Sequence, residues 1–387
     1  MTKLKAIIIQ NYLSPYRVSL FKEIASSESI DLMVVLLAPD KPSYPQWNYD
    51  FDRLPFRVKS IPGVRLVLSS NEKSQICFNP YLLKFLIDYK PDVIFCTGFG
   101  ISTILVSFYS LFTKKPMIIW FEGTHITENK LHFSLIRNIV RKYLAILAGG
   151  FVVAGQLSRE YITSLLANNI KKPIIISYNC VDSQALYRAC QEFKKNASLW
   201  RDFRAIFPEK NILFSGQLIK RKGIYQTLEV YRRVCKNSPH EVGLILLGQG
   251  VLREFIQDYK NRNGLRYLFI EGFVGAGDYA KYFALADVFL LLSLWDCNPL
   301  VIFEALSCGL PIICSNRAGN AVDFVEEGKN GYVVDPYDYE GTARKVLSVL
   351  YCPEIDKMRS ASREIVRRAN YQDSAEAFIK IAKDVLL

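Results

Sequence analysis

The sequence has no C-x-x-C pair among its nine cysteines and no Gly/Ser/Pro-rich or repetitive tract. The cysteines (77, 96, 180, 190, 235, 297, 308, 314, 352) are odd in number, scattered, and mostly embedded in apolar runs. They read as reduced core thiols of a cytoplasmic protein, a pattern that argues against a metal site. With half of its residues hydrophobic and 22% charged, the chain has the composition of a fully folded globular protein. The turn after the first apolar run, IIIQNYLSPYR, has no glycine, which excludes the G-x-G-x-x-G turn of a dinucleotide oxidoreductase. The apolar run near the start, within MTKLKAIIIQNYLSPYR, is too short for a signal peptide and reads as a first strand, so no export is expected.

One stretch reaches the length a bilayer requires: residues 93–113, VIFCTGFGISTILVSFYSLFT, contain no charge. Gly98 and Gly100 divide it into a β-rich run ending near Thr97 and a helical run from about Ile101, which favours a buried strand and a packed helix over a span. Positive charge is uneven. Residues 1–182 hold 21 Lys/Arg against 13 Asp/Glu, of 49 against 37 in the whole chain, so the first half carries most of the excess and points to an anionic surface. The segment KLHFSLIRNIVRKYLAIL, 130–147, sets Arg137 and Arg141 one turn apart beside Leu, Ile and Tyr, as an interfacial helix does. An ordinary amphipathic helix with a solvated basic face fits it equally. Nucleic acid fits the net charge less well, because the concentrated basic residues fall on one turn and one helix.

A chain of 387 residues is longer than one hydrophobic core normally supports, so two domains are expected. Strand-like apolar runs at 4–10, 31–37, 56–61, 92–97, 116–121, 150–154 and 173–179 alternate with helical patterns. The alternation resumes at 211–216, 242–247, 266–271, 287–292, 311–315 and 331–334. Continuous rather than alternating apolar strands indicate sheets covered on both faces, hence two doubly wound α/β domains. Residues 183–210, SQALYRACQEFKKNASLWRDFRAIFPEK, shift to charged and polar composition and are read as the interdomain segment, separating domains at 1–182 and 211–370.

Ligands of such sheets bind at the carboxyl ends of the strands, which directs attention to the loops of the second half. In NILFSGQLIKRKGIYQTLEVYRRV, a strand leads through Gly216 to a turn with Lys220, Arg221 and Lys222, and Gly223 opens a helix. Three cations beside a helix N-terminus make a phosphate site, although a solvated basic turn fits as well. In LILLGQGVLREF, Gly248 and Gly250 serve backbone geometry first. In WDCNPLVIFEALSCG, Asn298 is placed to cap a helix, Pro299 suits its first position, and Gly309 followed by Pro311 ends it after about three turns. Glu304 is then a carboxylate inside a buried helix and needs hydrogen-bond donors. Ribose hydroxyls would supply them, and the N–H groups at Pro299 to Val301 would face a diphosphate or sugar.

These motifs resemble those of retaining glycosyltransferases with the GT-B fold, family 4, which read approximately G-R-L-x-x-x-K-G, L-x-G-x-G, E-x7-E running into E-A-x-x-x-G-x-P, and G-G-x-x-E…G-x-N-G-x-x-V-x-P-x-D. The matching stretches are GQLIKRKG, LLGQG, Asp296 through to Glu304 in DCNPLVIFEALSCGLP, and GNAVDFVEEGKNGYVVDPYD. The likeness is nearly complete from Asn211 to Asp335. It is looser in the first half, through SPYR, WFEGTH and SYNCVD.

The resemblance implies two Rossmann-like domains facing across a cleft, with a C-terminal helix at about 371–387 packing back on the first. It implies transfer of a hexosyl unit from a UDP- or GDP-sugar to a sugar or lipid-linked acceptor in bacterial surface polysaccharide, O-antigen or lipopolysaccharide assembly. The excess positive charge of the first half, the basic amphipathic segment at 130–147 and the absence of a convincing span or export signal lead to the expectation of a cytoplasmic enzyme, peripheral on the inner face of the cytoplasmic membrane. Glu304 would bind the donor ribose, Asp296 hydroxyls of the transferred sugar, and Lys222 the departing β-phosphate. His125 would approach that sugar from the first domain. Gly216, Gln217, Arg221, Gly248, Asn298, Pro299 and Leu300 would complete the donor site, and Tyr16 and Arg17 would meet the acceptor. Cations and helix N–H groups would balance the leaving charge, so neither metal nor cofactor is expected. The D-x-D of Asp50 and Asp52 is assigned to turn chemistry. Four positions depart from the family pattern: Gln217 for Arg, Asp296 for Glu, Asn320 for Gly and Asp323 for Glu. They leave open a catalytically weak, nucleotide-sugar-binding homologue acting as a partner subunit, or a soluble or protein acceptor.

Overall fold

Apolar runs of three to seven residues, most of them buried on both faces, pair as parallel strands, and each parallel pair requires a crossover that covers the sheet. The chain, described by a computed structural model over residues 3–37, 50–69, 74–128, 134–166 and 170–386, repeats this arrangement twice. It divides into one unit of Met1–Cys180 with Ala369–Leu387 and a second of Val181–Arg368.

The first unit runs β1 (Leu4–Gln10), α1 (Pro15–Ser26), β2 (Ile30–Leu36), β3 (Arg57–Ser60), β4 (Val64–Ser69), β5 (Ser74–Phe78), α2 (Tyr81–Tyr89), β6 (Val93–Thr97), α3 (Ile101–Thr113), β7 (Met117–Phe121), α4 (His125–Glu128), α5 (Ser134–Leu147), β8 (Gly150–Val153), α6 (Gln156–Leu165) and β9 (Ile174–Ile176). Its sheet has the order β3-β2-β1-β6-β7-β8-β9, all parallel. The direction of winding reverses between β1 and β6. The uncharged stretch 93–113 is β6 and α3, divided at Gly98 to Gly100, and no described helix is long and apolar enough to cross a membrane. An antiparallel hairpin, β4–β5, stands apart from the parallel sheet and has no counterpart among the expected strands. Asp50 caps a 3₁₀ turn at Phe51–Arg53, accepting from the Asp52 N–H at 3.3 Å and pairing with Arg53 at 2.9 Å.

The basic face read for 130–147 needs correction at Arg141; 130–133 lie outside the described residues. Arg141 is not on a solvated face. It is buried, pairs with Glu128 at 2.5 Å and donates to the Tyr161 hydroxyl at 2.6 Å. Arg137 donates to the Glu128 carbonyl. At this depth a carboxylate and a phenol hydroxyl take the place of water around the Arg141 guanidinium.

The second unit runs α7 (Ser183–Lys195), α8 (Ala197–Arg204), β10 (Lys210–Ser215), α9 (Ile224–Asn237), β11 (Val242–Leu247), α10 (Arg253–Arg262), β12 (Leu268–Gly272), α11 (Ala276–Leu285), β13 (Val288–Leu291), α12 (Leu300–Ser307), β14 (Ile312–Ser315), α13 (Ala321–Phe324), β15 (Gly331–Val334), α14 (Tyr339–Leu350) and α15 (Ile355–Ile365). Its sheet is β12-β11-β10-β13-β14-β15, again all parallel, with the reversal between β10 and β13. Residues 183–204 are therefore not a linker. They form α7 and α8, capped by Asp182 and Asn196, and α7 packs on α11 and α12. Their charges lie on outer faces, while Cys190, Phe193 and Phe203 turn inward, Phe203 stacking edge-on with Tyr282 at 5.3 Å. Of the cysteines, only 96, 180, 190 and 314 are fully buried; Cys235 is exposed.

A last helix, α16 (Tyr371–Asp384), returns to the first unit. Phe378, 1% exposed, packs against Trp120 and Phe95 with ring centroids 4.9 and 5.1 Å away, filling the face of the sheet that α1 covers in part. Phe378→Ala is expected to destabilise the first unit by ~3–5 kcal/mol, the usual cost of emptying a buried aromatic site. Hydrogen exchange of the β6 and β7 amides reads this directly, and unchanged protection there would show that α16 is not part of that core.

Candidate donor site of the second unit

At a reversal of strand order the loops leaving two neighbouring strands diverge and open a crevice at their carboxyl ends. In the second unit those loops follow β10 and β13. The β10 loop passes Gly216 and Gln217, makes a 3₁₀ turn at Lys220–Lys222, and enters α9 through Gly223. Gly223 has φ +73°, and a Cβ there would lie 1.8 Å from the Leu292 carbonyl oxygen, so only glycine lets the two loops touch. That contact is secured by the Leu294 N–H donating to the Arg221 carbonyl at 2.8 Å.

It brings Lys222 and Asp296, 74 positions apart, into a direct ion pair, each side chain nearly buried. Arg221 stands 3.8 Å from the other Asp296 oxygen and donates to the Trp295 carbonyl at 3.3 Å. The Asp296 backbone is fixed as well, donating to Arg317 and accepting from Gly319 at 3.1 and 2.8 Å. Two of the three expected phosphate cations thus surround a carboxylate. Lys220 and Gln217 are exposed.

Gly248 at the end of β11 closes the other flank. Its φ is +134°, and a Cβ would come within 1.9 Å of the Gly216 carbonyl oxygen. Gly216 and Gly248 therefore touch through backbone.

Glu304 differs from expectation in its partner. Its Oε2 accepts from the Tyr279 hydroxyl at 2.6 Å, and that oxygen lies 2.8 Å from Ser215 Oγ at the end of β10. With the phenolic proton committed to Glu304, the Ser215 hydroxyl is the donor to Tyr279. Oε1 has no partner among the described residues. Desolvation pushes the Glu304 pKa above the ordinary glutamate value, offset in part by the Tyr279 hydroxyl, yet the residue keeps some exposed surface. That remaining surface is where a hydroxyl-bearing ligand has access. Tyr279 itself is raised well above the usual phenol range by burial and by the Glu304 charge. Neither Tyr279 nor Ser215 was expected; the signal was Glu304's need for a donor, but its spacing names no partner.

The helix carrying Glu304 begins later and is shorter than the sequence implied. Pro299 is its N-cap, Asn298 precedes the cap, and α12 starts at Leu300. Pro299 has no N–H and no side-chain cap bond is made, so Leu300 and Val301 carry the first amides; Ile302 N–H turns back to the Pro299 carbonyl at 3.1 Å. Asn320, 1% exposed, donates to the same carbonyl at 3.1 Å, which gives this departure from the family pattern a role in fixing the α12 start.

In the first unit, Arg17 is the centre of a second cluster. It donates to Gln10 Oε1 and to Glu122 Oε1 at 2.7 Å each and to the Tyr16 hydroxyl at 3.1 Å, with its guanidinium 4.3 Å from the Trp120 ring centre. Burial works against its charge, but Tyr16 and Glu122 more than offset that, and its pKa is raised. Beside it a cavity of about 280 Å³ opens at the carboxyl ends of β1 and β6, lined by Gln10, Asn11, Ser14, Tyr16, Thr97 and Ser102. His125 stands elsewhere in this unit, as the first residue of α4, exposed and edge-on to Tyr161 at 5.1 Å.

Residues 199–369 match the sequence family described as glycosyl transferases group 1, across most of the second unit. Curated relatives are also found. The chain is 29% identical over 208 residues to spore coat protein SA of Bacillus subtilis (strain 168), covering 50% of this chain and 51% of the relative. It is 30% identical over 145 residues to O-antigen chain mannosyltransferase B of Escherichia coli, 36% of each. It thus spans about half the length, or less, of these relatives. The crystal structure of Anabaena HepE in complex with UDP superposes with a TM-score of 0.74 over 98% of this chain and 99% of that one, at 17% identity. That likeness shows the fold: GT-B, with two Rossmann-like α/β units in one chain.

The raised Glu304 pKa has a stability consequence with a definite sign. The folded chain binds this proton more tightly than the unfolded chain, so stability falls as pH rises from the unfolded glutamate value through the folded one, and the deficit is constant above it. Glu304→Gln is thus expected to unfold at the same temperature as the parent at low pH and at a higher temperature near pH 8. Equal differences at both pH values would show that the Glu304 charge is not disfavoured in the fold.

Proposed function

We propose that the chain is a metal-independent, retaining glycosyltransferase that uses a nucleotide-diphosphate sugar and passes its glycosyl unit to a glycan or lipid-linked acceptor in the assembly of a bacterial surface polysaccharide. The observation that carries this reading is the nearly buried Lys222–Asp296 pair at the strand-order reversal of a group 1 domain. The UDP held by the Anabaena structure and the O-antigen assignment of the Escherichia coli relative are consistent with it.

The chemistry follows from charge. As the bond from sugar to diphosphate lengthens, the leaving group gains negative charge and the sugar becomes oxocarbenium-like. Lys222 and Arg221 are already charged and fixed, so they stabilise that diphosphate without the reorganisation water would need. Asp296 holds Lys222 in place before donor binds. When a phosphate draws Lys222 away, the carboxylate is freed to accept sugar hydroxyls. Glu304 Oε1 accepts a ribose hydroxyl, while Oε2 stays on Tyr279. The Leu300 and Val301 amides face the donor where α12 begins, with Gly216, Gln217, Gly248 and Asn298 around it. From the first unit, His125 is assigned to the reacting sugar and the hydroxyl-lined cavity at Tyr16 and Arg17 to the acceptor. Gln10 favours a polyol there: it is 2% exposed and its Nε2 has no partner among the described residues. The excess of Lys/Arg in residues 1–182 supports work at the inner face of an anionic membrane.

A thermal-shift screen of UDP- and GDP-sugars tests the reading, because a ligand bound only by the native state raises its melting temperature. No shift with any nucleotide sugar would sink it. Specific binding with neither transfer nor donor hydrolysis would mark a nucleotide-sugar-binding partner subunit instead. Glu304→Gln is expected to weaken nucleotide binding by ~1–3 kcal/mol, the cost of a poorly paired group; unchanged affinity by calorimetry removes the ribose assignment. Lys222→Ala is expected to lower kcat by ~100-fold or more with the fold intact. Activity should survive EDTA, and a strict requirement for Mg²⁺ or Mn²⁺ would refute the charge-balancing role of Lys222 and Arg221.

A further inference from the structure

Cys190 on α7 and Cys308, the C-cap of α12, are 118 positions apart, yet their sulfurs lie 3.2 Å from each other. A disulfide needs its sulfurs about 2 Å apart, so one short displacement of either helix brings the pair to bonding distance. Among the described residues no third His, Cys, Asp or Glu joins them in a group that could hold a metal ion. Oxidation is then the chemistry open to two facing thiols.

The hydrogen bonds around the pair give it a direction. A carbonyl only accepts, so Cys190 donates its proton to the Ala280 carbonyl at 3.3 Å, and Cys308 donates to Cys190 Sγ. The hydrogen bond from Cys308 and, against burial, the charge of Lys194 hold the Cys190 thiol below its ordinary value. Burial, then Cys190 and Glu304, push the Cys308 thiol up. Ionisation thus takes the Cys190 proton and leaves the Cys308 proton in the contact between the sulfurs.

Access comes through Cys308. Cys190 is 2% exposed, but Cys308 keeps part of its surface and walls a cavity of about 240 Å³ between α7, α11 and α15. Lys194, Arg359 and Arg363 line that cavity with the acid Asp356, which stands 3.8 Å from Arg359; Arg359 also meets Asp287 at 3.2 Å. A partly exposed thiol in positive surroundings, beside a second cysteine, is the arrangement of an oxidation-sensing dithiol. In a reducing compartment such pairs serve as transient sensors rather than as permanent staples.

The same two residues touch both helices of the Glu304 carboxylate. Cys190 bonds to Ala280, the neighbour of Tyr279 on α11, and the Cys308 N–H donates to the Glu304 carbonyl at 3.2 Å. Tyr279 and Glu304, joined through their side chains, are therefore each one step from a sulfur.

We propose that Cys190 and Cys308 form a peroxide-sensitive switch, in which hydrogen peroxide entering the cavity converts the two thiols to a disulfide between α7 and α12 that disturbs the Glu304–Tyr279 pair. The Cys308 sulfur attacks one peroxide oxygen as its proton passes to the Cys190 thiolate. The O–O bond breaks, hydroxide leaves, and Cys308 becomes a sulfenic acid. The Cys190 sulfur then attacks the Cys308 sulfur, and the Cys190 proton departs with the sulfenic hydroxyl as water. Together the sulfurs lose two electrons, which the peroxide takes. Oxidation removes the proton that bonded Ala280 and draws the end of α12 toward α7, so Tyr279 and Glu304 shift together. The disulfide rests on the thiol geometry alone; its effect on nucleotide binding rests on the glycosyltransferase reading.

The test treats the full chain with hydrogen peroxide and follows a non-reducing peptide map, amide hydrogen exchange of α11 and α12, and calorimetric affinity for UDP and GDP. A Cys190–Cys308 cross-link is expected, reversed by dithiothreitol, with altered exchange at the end of α12 and several-fold weaker nucleotide binding. Cys190→Ser, which keeps a hydroxyl for Ala280, and Cys308→Ser should bind nucleotide like the parent and lose the response to peroxide. If either variant fails to fold, the peptide map of the unsubstituted chain still decides. Peroxide that modifies the exposed Cys235 while Cys190 and Cys308 stay reduced overturns the proposal, and so does a Cys308 that runs on to sulfinic acid with Cys190 still a thiol. A cross-link that leaves exchange unchanged, or leaves affinity unchanged in a chain that binds UDP or GDP, overturns it as well. A cross-link that alters exchange in a chain that binds no nucleotide supports the switch and defeats the enzymatic reading. Nucleotide binding without any cross-link defeats the switch and leaves the enzymatic reading in place.

Discussion

Two parallel sheets impose the constraint on which the rest depends. In a parallel sheet every carboxyl end falls on the same edge, and where the winding reverses that edge cannot be closed by consecutive loops. In the second unit the reversal separates β10 from β13, strands that pair directly although 72 residues of other structure lie between Ser215 and Val288. The loops beyond them come from distant sequence and must be fixed by contact. Gly223 against the Leu292 carbonyl and Leu294 against the Arg221 carbonyl provide that contact. The Lys222–Asp296 pair is its electrostatic result. A side chain at Gly223 would separate the loops and, with them, the two charges.

Glu304 and Arg17 answer the same physical problem in different ways. Each is a charged group removed from most of its water, which costs several kcal/mol unless other groups replace the solvent. Arg17 is met on every side by Gln10, Glu122, Tyr16 and the Trp120 ring, and its charge is stabilised. Glu304 has one donor among the described residues, and its charge is disfavoured. The complete shell makes a rigid wall; the incomplete one leaves a valence for something that arrives from solution. This difference is why Glu304 is assigned to a ligand's hydroxyl and Arg17 to the framework of the neighbouring cavity.

Every strand of both parallel sheets was legible as an apolar run, with ends displaced by at most three residues, because burial on both faces, which most of these strands share, writes itself into composition. The hairpin β4–β5 was not: Val64 and Phe78 at its ends are 61% and 46% exposed, and a short ladder with an open face needs no continuous apolar run. Glu304 could be recognised as a buried acid in want of a donor, but Tyr279 lies on another helix, and packing rather than spacing selects it. The pairing of Lys222 with Asp296 depends on strand order, which no single sequence states. For α5 the inward face was mistaken for the outward one. Apolar residues occur on both sides of that helix, so periodicity alone does not tell which side carries Arg141 into the protein.

The return of α16 to the first unit also sets an order of events during synthesis. Trp120 and Phe95 emerge early, whereas Phe378, which covers them, emerges only after the whole of residues 181–368 has left the ribosome. The second unit, continuous in sequence, is complete and free to fold while the first still has an uncovered aromatic face. The half of the molecule made first is therefore the last to be finished, and in the interval its exposed rings are the natural target for chaperones and for aggregation.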